Sequence, residues 1–494
     1  MTVDVLVIAP FRRPTFRKAI SSRYPVREPW DSPPLSLAGG LEQHGLQVAY
    51  LALQNLFDSW DEARDLPVLR SVLRSTPARM AVFTGDYFIP SRSTATLFGM
   101  SVIARELKAE YPDMIIGATG RLPTTAGAQL LEQVPECGFL VHGEPDAVIG
   151  DIAGQILRHG AAARHESLVT RATAAAGQRP HAATTATLDE TPMPAWRLLE
   201  RSMTWWEQLG HGTATDPIPF SLRTSAGCRF RCRFCAGVPN WLNYRTKSAP
   251  RVAAELDALA GATGGRAHFA FLEDEIFTRD LEHVKDISGI CVARGIRFDG
   301  LYTHSSLLTP QVAGHLATMT HRVFLGLDSP DDQILRGMGK GQRFDTVLAA
   351  VETARAAGLG THLEWIIGSP ADTVDSLIAS LNLLTTLYAT GVVESINTYV
   401  YCPHPGTEYA EHPGKYGLHL IDGLEDMQES GGYPAYRTQH LTRQQIFTAY
   451  LMSQLALAEI GRDRDRGVVH TSVGTPSRGE LHRIFGKLTE PTDG

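Results

Sequence analysis

Short apolar runs alternate with amphipathic helical stretches along most of this 494-residue chain. In the first third the apolar runs are Val3 to Ala9, Val48 to Leu53, Met80 to Thr84, Met114 to Ile116 and Phe139 to His142. Strands that alternate with helices pack as a parallel sheet covered by those helices. We therefore expect an α/β fold, with a doubly wound, Rossmann-like sheet over residues 1–170.

A second alternating series begins near residue 218. Its predicted strands are Ile218 to Arg223, Ala267 to Leu272, Phe298 to Thr303, Arg322 to Leu327, Gly360 to Ile367 and Val393 to Val400. Consecutive β/α units predict a partial or full TIM-type barrel, with its site at the carboxyl ends of the strands. We place this barrel at 215–405, a linker at 171–214, and a mixed α/β extension that caps the substrate at 406–494.

Composition excludes several functional classes. The net charge of −7 does not suit a nucleic-acid binder, and no apolar run approaches the roughly 18 residues of a membrane span. The first residues read as a buried strand and lack the cationic segment of a signal peptide. We expect a cytoplasmic protein with no nucleic-acid or membrane partner.

Three of the six cysteines fall within eight residues, directly after a predicted strand. Cys228, Cys232 and Cys235 form a C-x3-C-x2-C array, and three thiolates on one loop can each bind one iron of a [4Fe–4S] cluster. The fourth iron then has an open position at which a substrate can bind. A zinc knuckle is the alternative, but it needs a fourth nearby Cys or His, which this loop lacks.

The cysteine spacing resembles that of the radical S-adenosylmethionine (SAM) superfamily, over about residues 218–410. The resemblance includes the acidic segment 271–277, the strand end 326–329 with 334–341, the segment 364–370, and the P-x-P-G-T element at 403–407. It implies that SAM chelates the open iron and is cleaved to a radical that abstracts hydrogen from the substrate. The SAM contacts it implies are Phe234, Ala236, Glu273, Asp274, Asp328, Ser329, Lys340 and Glu364. Two departures are Asp328, where Glu is usual, and 371–373, where Gly-Glu-Thr is usual.

The amino-terminal domain resembles the cobalamin-binding domain of one radical SAM subclass. The resemblance rests on 33–38, 117–124 and 141–146, and the D-x-H-x-x-G motif that supplies a histidine to cobalt is absent. It implies cobalamin bound without a histidine ligand. The implied cobalamin contacts are Pro10, Asp86, Tyr87, Gly117, Ala118, Thr119, Gly120, His142, Gly143 and Glu144. Any one glycine at these strand ends serves equally well as an ordinary turn residue.

The resemblance implies a cobalamin-dependent radical SAM C-methyltransferase acting on a small-molecule or peptide intermediate. One SAM would methylate cobalamin and a second would generate the radical, with an electron donor of the flavodoxin or ferredoxin type. The alternatives are a cyclase or rearrangement enzyme with the same cofactors, and a cobalamin- or metal-binding regulatory protein. Methylthiotransferases need additional amino-terminal cysteines and a basic tail, and only Cys137 precedes the loop. No residue is assigned as a general base.

Overall fold

A computed structural model of the chain describes residues 2–13, 29–57, 60–84, 96–237, 243–421, 423–424 and 433–465. Two residues predicted to bind cobalamin, Asp86 and Tyr87, lie outside these ranges. The described chain divides into two compact units. Among the described residues, the first unit contains 2–13, 29–57, 60–84, 96–229, 236–237 and 243–275, and the second contains 230–235, 276–421, 423–424 and 433–465.

The strands, in chain order, are β1 (Val3–Ala9), β2 (Trp30–Asp31), β3 (Val48–Ala52), β4 (Ala78–Thr84), β5 (Ile115–Thr119), β6 (Phe139–Val141), β7 (Leu168–Thr170), β8 (Ile218–Leu222), β9 (Ser225–Ala226), β10 (Arg245–Thr246), β11 (Ala267–Leu272), β12 (Phe298–Thr303), β13 (Arg322–Asp328), β14 (Gly360–Ile367), β15 (Ser395–Val400), β16 (Leu418–Leu420) and β17 (Tyr436–Thr438). The helices are α1 (Ser32–Gln43), α2 (Leu53–Leu56), α3 (Glu62–Arg74), α4 (Thr96–Glu110), α5 (Arg121–Ala126), α6 (Ala128–Gln133), α7 (Ile149–His159), α8 (Arg171–Ala175), α9 (Leu199–Gln208), α10 (Ala249–Thr263), α11 (Leu281–Arg294), α12 (Pro310–Met319), α13 (Asp332–Met338), α14 (Phe344–Ala356), α15 (Val374–Ala389), α16 (Glu408–Glu411) and α17 (Arg443–Asp465).

The first unit contains a six-stranded sheet with the order β3-β1-β4-β5-β6-β7. Neighbouring strands are parallel except for β7, which runs antiparallel to β6. Strand β1 is fully buried from Val5 to Ile8, as expected of a strand covered on both faces. The strand order reverses around β1, so the ends of β1 and β4 lie where open parallel sheets bind ligands.

The first unit also contains the parallel strands β2, β8 and β11, of which β8 and β11 belong to the second predicted series. Trp30 pairs with Phe220, so residues far upstream in the chain join this part of the fold. Sequence periodicity does not predict β2, because a two-residue strand has no periodicity to detect.

The second unit contains β12, β13, β14 and β15, which are parallel and adjacent in that order. Helix α17 packs against this sheet, where the hydroxyl groups of Thr398 and Ser453 are 2.8 Å apart. The register of β13 on β14 shifts between Gly326 and Asp328. Among the residues that the structure describes, Asp328 is the one non-glycine residue with a positive φ, which is 62°.

Most predicted element bounds agree with the structure to within a few residues. The strands predicted at 3–9, 267–272, 298–303 and 360–367 have the observed bounds. Helix α3 is not predicted, and its interior Pro67 argues against a helix by sequence. Its amino terminus is capped by Asp61, whose carboxylate accepts a hydrogen bond from the Arg64 amide. Within the described ranges, no helix is long and apolar enough to cross a membrane.

Candidate active site

The backbone that leads into the cysteine loop is held by Asp274, which follows β11. The fully buried carboxylate of Asp274 accepts hydrogen bonds from the amides of Thr224 (2.8 Å) and Ser225 (2.9 Å). The Thr224 hydroxyl donates a third, at 2.6 Å. Asp274 therefore fixes the strand end that precedes Cys228. Its predicted contact with SAM stays a prediction.

The next carboxylate, Glu275, connects the cysteine loop to the first sheet. Its Oε2 accepts a hydrogen bond from the Gly227 amide at 3.1 Å, immediately before Cys228. Its Oε1 accepts one from Arg121 Nη2 at 2.5 Å. Arg121 Nη1 also donates to the carbonyl oxygen of Ala236 at 3.3 Å, immediately after Cys235.

Arg121 is thus bound, directly or through one carboxylate, to both flanks of the cysteine loop. It is the first residue of α5, it follows the loop 117–120 that was predicted to bind cobalamin, and its side chain is only 1% exposed. Sequence analysis included Arg121 and Glu275 in the segments 117–124 and 271–277 but assigned a role to neither. The only available signal was a charged residue placed next to a strand-end glycine, and a pattern that common identifies no partner.

Buried charges surround this region of the first unit. Burial lowers the pKa of Arg223, but the carboxylates of Glu275, Glu144 and Asp146 outweigh this effect and the pKa is raised. Burial raises the pKa of Asp146 to about 6, against the opposing effect of Arg223.

The three thiols of the loop lie at or near the surface. Cys228 and Cys232 are half-buried and Cys235 is exposed. Among the described residues, no three His, Cys, Asp or Glu side chains are grouped as a ready metal-binding set. The chemistry and sequence spacing of the three thiols suit a [4Fe–4S] cluster. That all three bind one cluster stays a prediction.

In the second unit the cysteine loop packs on the carboxyl end of α13. The Arg233 amide donates to the Met338 carbonyl at 2.9 Å, and Arg233 Nη1 donates to the Gly337 carbonyl at 2.6 Å. Gly339 ends the helix with φ 68°, and a Cβ there would lie 3.3 Å from the Arg231 carbonyl oxygen. A glycine at this position therefore permits both the left-handed turn and the close approach of the loop.

Three of the predicted SAM contacts meet in the second unit. Lys340 Nζ lies 2.5 Å from Asp328 Oδ2 and 5.9 Å from the centre of the Phe234 ring. Burial lowers the pKa of Lys340, and the neighbouring Asp328 and the thiols of Cys232 and Cys235 raise it further than burial lowers it. The sequence-predicted strand end and cysteine loop are therefore adjacent. Ser329, also predicted, is buried next to Asp328.

Glu364 occupies the strand beside this pair, with Gly326 as its register partner. Its Oε1 accepts hydrogen bonds from the phenols of Tyr302 (3.2 Å) and Tyr399 (3.1 Å). The three residues come from β12, β14 and β15, and all are half-buried. Sequence analysis predicted Glu364 as a SAM contact and did not identify the two phenols as partners of this carboxylate.

Several residues predicted to bind cobalamin contact the chain itself. A Cβ on Gly117 would lie 2.2 Å from the Phe139 ring, so that glycine makes room for a side chain. Gly143 has φ 91° and forms a parallel bridge with Ala183. Glu144 forms an ion pair with Arg245 and accepts hydrogen bonds from the amide and hydroxyl of Thr185.

The remaining predicted cobalamin contacts lie at strand ends of the first sheet. Pro10 follows β1, Ala118 and Thr119 end β5, and Gly120 begins the turn into α5 with φ 112°. His142 follows β6, is half-buried, and has its pKa lowered by burial. Pro10 is thus at the point where the strand order reverses, and Gly120 is at the end of β5, the strand beside β4, which is compatible with a large ligand at that edge.

Comparison with protein families identifies the class of the central region. The model of the radical SAM superfamily matches residues 222–384. The chain therefore carries a radical SAM domain, which implies a [4Fe–4S] cluster and SAM as cofactors.

Curated relatives match part of the chain. An uncharacterized methyltransferase of Pyrococcus horikoshii is 28% identical over 265 residues, which are 52% of this chain and 54% of that protein. A tRNA-2-methylthio-N(6)-dimethylallyladenosine synthase of Frankia alni is 29% identical over 205 residues, which are 39% of this chain and 40% of that protein. The chain thus spans about half the length of these relatives or less.

Solved structures resemble nearly the whole chain. The radical SAM methyltransferase TsrM of Kitasatospora setae, with cobalamin and a [4Fe–4S] cluster bound, has a TM-score of 0.61 at 16% identity and covers 92% of this chain and 91% of that one. The cobalamin-dependent radical SAM enzyme OxsB, in its apo form, has a TM-score of 0.64 at 14% identity and covers 98% of this chain and 78% of that one. At these identities the likeness shows the fold, an α/β chain with a curled, partial parallel barrel.

Proposed function

We propose that this protein is a cobalamin-dependent radical SAM C-methyltransferase acting on an unactivated carbon of a small-molecule natural-product intermediate. The proposal includes the predicted cobalamin-binding domain at 1–170, the linker at 171–214, the barrel at 215–405 and the capping region at 406–494. It also includes a cytoplasmic location and an electron donor of the flavodoxin or ferredoxin type. When bound, the cluster supplies the electron that cleaves SAM, and cobalamin carries the methyl group.

The observation that carries the proposal is the pair of contacts made by Arg121. This residue begins the helix after the loop where cobalamin is expected, and it binds the Ala236 carbonyl and Glu275 on either flank of the cysteine loop. A buried cation in this position connects the helix that follows the expected cobalamin loop to the Ala236 carbonyl and to Glu275, which binds the Gly227 amide. An enzyme that uses both cofactors in one reaction benefits from such a link, because the two sites must keep a fixed geometry.

The residues available to hold each group follow from the site. Cys228, Cys232 and Cys235 would bind the cluster, and Lys340 and Asp328 would bind the polar parts of SAM. Pro10 and 118–120 would face the corrin. Glu144 forms an ion pair with Arg245, and Gly117 leaves room for the Phe139 ring. In the proposal these two residues therefore stabilise the fold.

The overall reaction balances without a general base. One substrate C–H bond, two molecules of SAM and two electrons give a C–CH3 bond, S-adenosylhomocysteine, methionine and 5′-deoxyadenosine. The hydrogen leaves the substrate carbon for the deoxyadenosine, and the methyl group comes from the other SAM.

Anaerobic reconstitution tests the proposal, with iron, sulfide and cobalamin measured against a variant in which Cys228, Cys232 and Cys235 are all changed to Ala. We expect about four irons and one corrin per chain, with iron lost in the variant. Incubation with methyl-deuterated SAM and candidate substrates should then give a product heavier by one labelled methyl group. A product of unchanged methyl content would support cyclisation or rearrangement instead, and zinc without iron would overturn the radical mechanism.

A further inference from the structure

Arg233 sits between the second and third cysteines and is bound through its backbone and its side chain. Besides its two bonds to the end of α13, its carbonyl oxygen accepts a hydrogen bond from the Tyr409 amide at 3.2 Å. Both peptide groups of this residue are therefore tied to parts of the chain distant in sequence.

The partner of Arg233 is a short C-terminal segment, residues 407–416. Thr407 caps α16, with its hydroxyl accepting a hydrogen bond from the Ala410 amide at 3.2 Å. This is the threonine of the P-x-P-G-T element, so that motif starts the helix that presents Glu408 and Tyr409. Tyr409 is 1% exposed, and its phenol donates to the Gly337 carbonyl at 2.8 Å, the same oxygen that Arg233 binds.

The guanidinium group of Arg233 makes two further contacts with this segment. Its Nε lies 3.7 Å from Glu408 Oε2, and its Cζ lies 5.6 Å from the centre of the Tyr416 ring. Glu408 is in turn held by the Tyr416 phenol and by Lys415 Nζ, the latter at 3.0 Å. Hydrogen bonds from Tyr416 and Lys415 lower the pKa of Glu408, which keeps it charged opposite Arg233.

We propose that segment 407–416 is a positioning element for the iron–sulfur cluster, acting through Arg233. By fixing residue 233, it sets the positions of Cys232 and Cys235 before metal arrives. Residues that orient metal ligands commonly change metal affinity by about 10- to 100-fold when removed, because the ligands must otherwise be ordered on binding. The inference rests on the proposed function, since it presupposes that these thiols bind the cluster.

The loop itself offers a matched control. Arg231 lies in the same loop, also next to Cys232, but its side chain is exposed and does not share the contacts of Arg233. Removal of either arginine takes one positive charge from the vicinity of the thiols. A difference between the two variants therefore reports position rather than charge.

The test compares wild type with Arg233→Met, Tyr409→Phe and Arg231→Met, each as the full chain after anaerobic reconstitution. The readouts are iron per chain and the rate of iron loss to an excess of a ferrous chelator, followed by absorbance. We expect Arg233→Met to lose iron about tenfold faster than wild type, Tyr409→Phe severalfold faster, and Arg231→Met within twofold of wild type.

Circular dichroism of the apo proteins separates folding from positioning. If Arg233→Met fails to fold, Tyr409→Phe carries the test, because it removes one hydroxyl and leaves the ring packing in place. Equal rates of iron loss for wild type, Tyr409→Phe and Arg233→Met would overturn the inference while leaving the proposed function intact. A wild-type chain that takes up no iron would overturn both.

Discussion

Lys340 Nζ and Asp328 Oδ2 form a buried ion pair at 2.5 Å, and the aspartate in that pair has a left-handed backbone, with φ 62°. A non-glycine residue in this region stores strain, and such residues concentrate at functional sites. The register of β13 shifts at this point, which turns Asp328 towards Lys340 rather than along the regular pleat. The pair therefore combines an unusual backbone with a charge interaction in the predicted SAM site.

A double-mutant cycle on Lys340→Met and Asp328→Asn should show strong coupling. Either single change leaves one buried charge without its partner, and we expect each to lower the free energy of unfolding by about 3 kcal/mol. The double variant should recover part of this, with a coupling energy of about 2 kcal/mol. Urea unfolding of the apo protein measures it. The exposed pair Lys285 and Glu282 is the control, and equal coupling in both pairs would contradict the prediction.

Changing Arg121 should lower both the stability of the protein and the iron content of the reconstituted protein. Arg121→Met leaves Glu275 half-buried and removes the hydrogen bond to Ala236, so we expect a loss of about 3 kcal/mol in unfolding free energy. Arg121→Lys keeps the charge but cannot bind both partners, and it should fall between wild type and Arg121→Met.

Arg197 provides the comparison for Arg121. Its side chain is 70% exposed, and it pairs with Glu42 at the surface. Arg197→Met should leave both the urea midpoint and the iron content of the reconstituted protein near the wild-type values. If it matched Arg121→Met in both measurements, the special position of Arg121 would be refuted.

The stability of the protein should fall as the pH rises towards neutrality, in part because of Asp372. Burial raises the pKa of this carboxyl from 3.8 to about 7, although it accepts hydrogen bonds from the amides of Ser369 and Gly368. The folded state thus favours the protonated form. Its contribution to stability is complete below about pH 4 and is lost as the pH rises through 7.

Asp372→Asn tests this effect, since an amide oxygen can accept the same two hydrogen bonds without ionising. We expect the difference in unfolding free energy between the variant and wild type to grow in favour of the variant as the pH rises from 5 to 8, by on the order of 2 kcal/mol. Urea unfolding at the two pH values gives the difference. An identical difference between variant and wild type at both values would show that Asp372 does not titrate in this range.

Glu364→Gln should weaken SAM binding. The carboxylate shares its face of the sheet with Gly326, next to Lys340 and Asp328, and loss of its charge should cost about tenfold in the dissociation constant of SAM. Tyr399→Phe removes one of the two phenols that orient it and should have a smaller effect. Equilibrium dialysis with the reconstituted protein measures both. Tyr388→Phe, on α15, is the control, and unchanged affinity in Glu364→Gln would contradict a contact between that carboxylate and SAM.

The order of elements and the cysteine loop could be predicted from sequence because both are local. The apolar run of β14 and the three cysteines can each be recognised within about ten consecutive residues, because periodicity and spacing follow directly from backbone geometry. Glycines were less informative: Gly117 was predicted to contact cobalamin, but its packing against the Phe139 ring already accounts for a glycine at that position.

The sequence by itself determined the α/β alternation, the thiol-bearing loop and the resemblance to radical SAM enzymes. Tertiary structure decided which side chains form hydrogen bonds with that loop and its flanking residues. Arg121 and Glu275 are 154 positions apart, and Arg233 and Tyr409 are 176 apart, so no local pattern connects them. Such pairs form only when the fold buries both groups in one place, where an unpaired charge or peptide group is costly and each must find a partner.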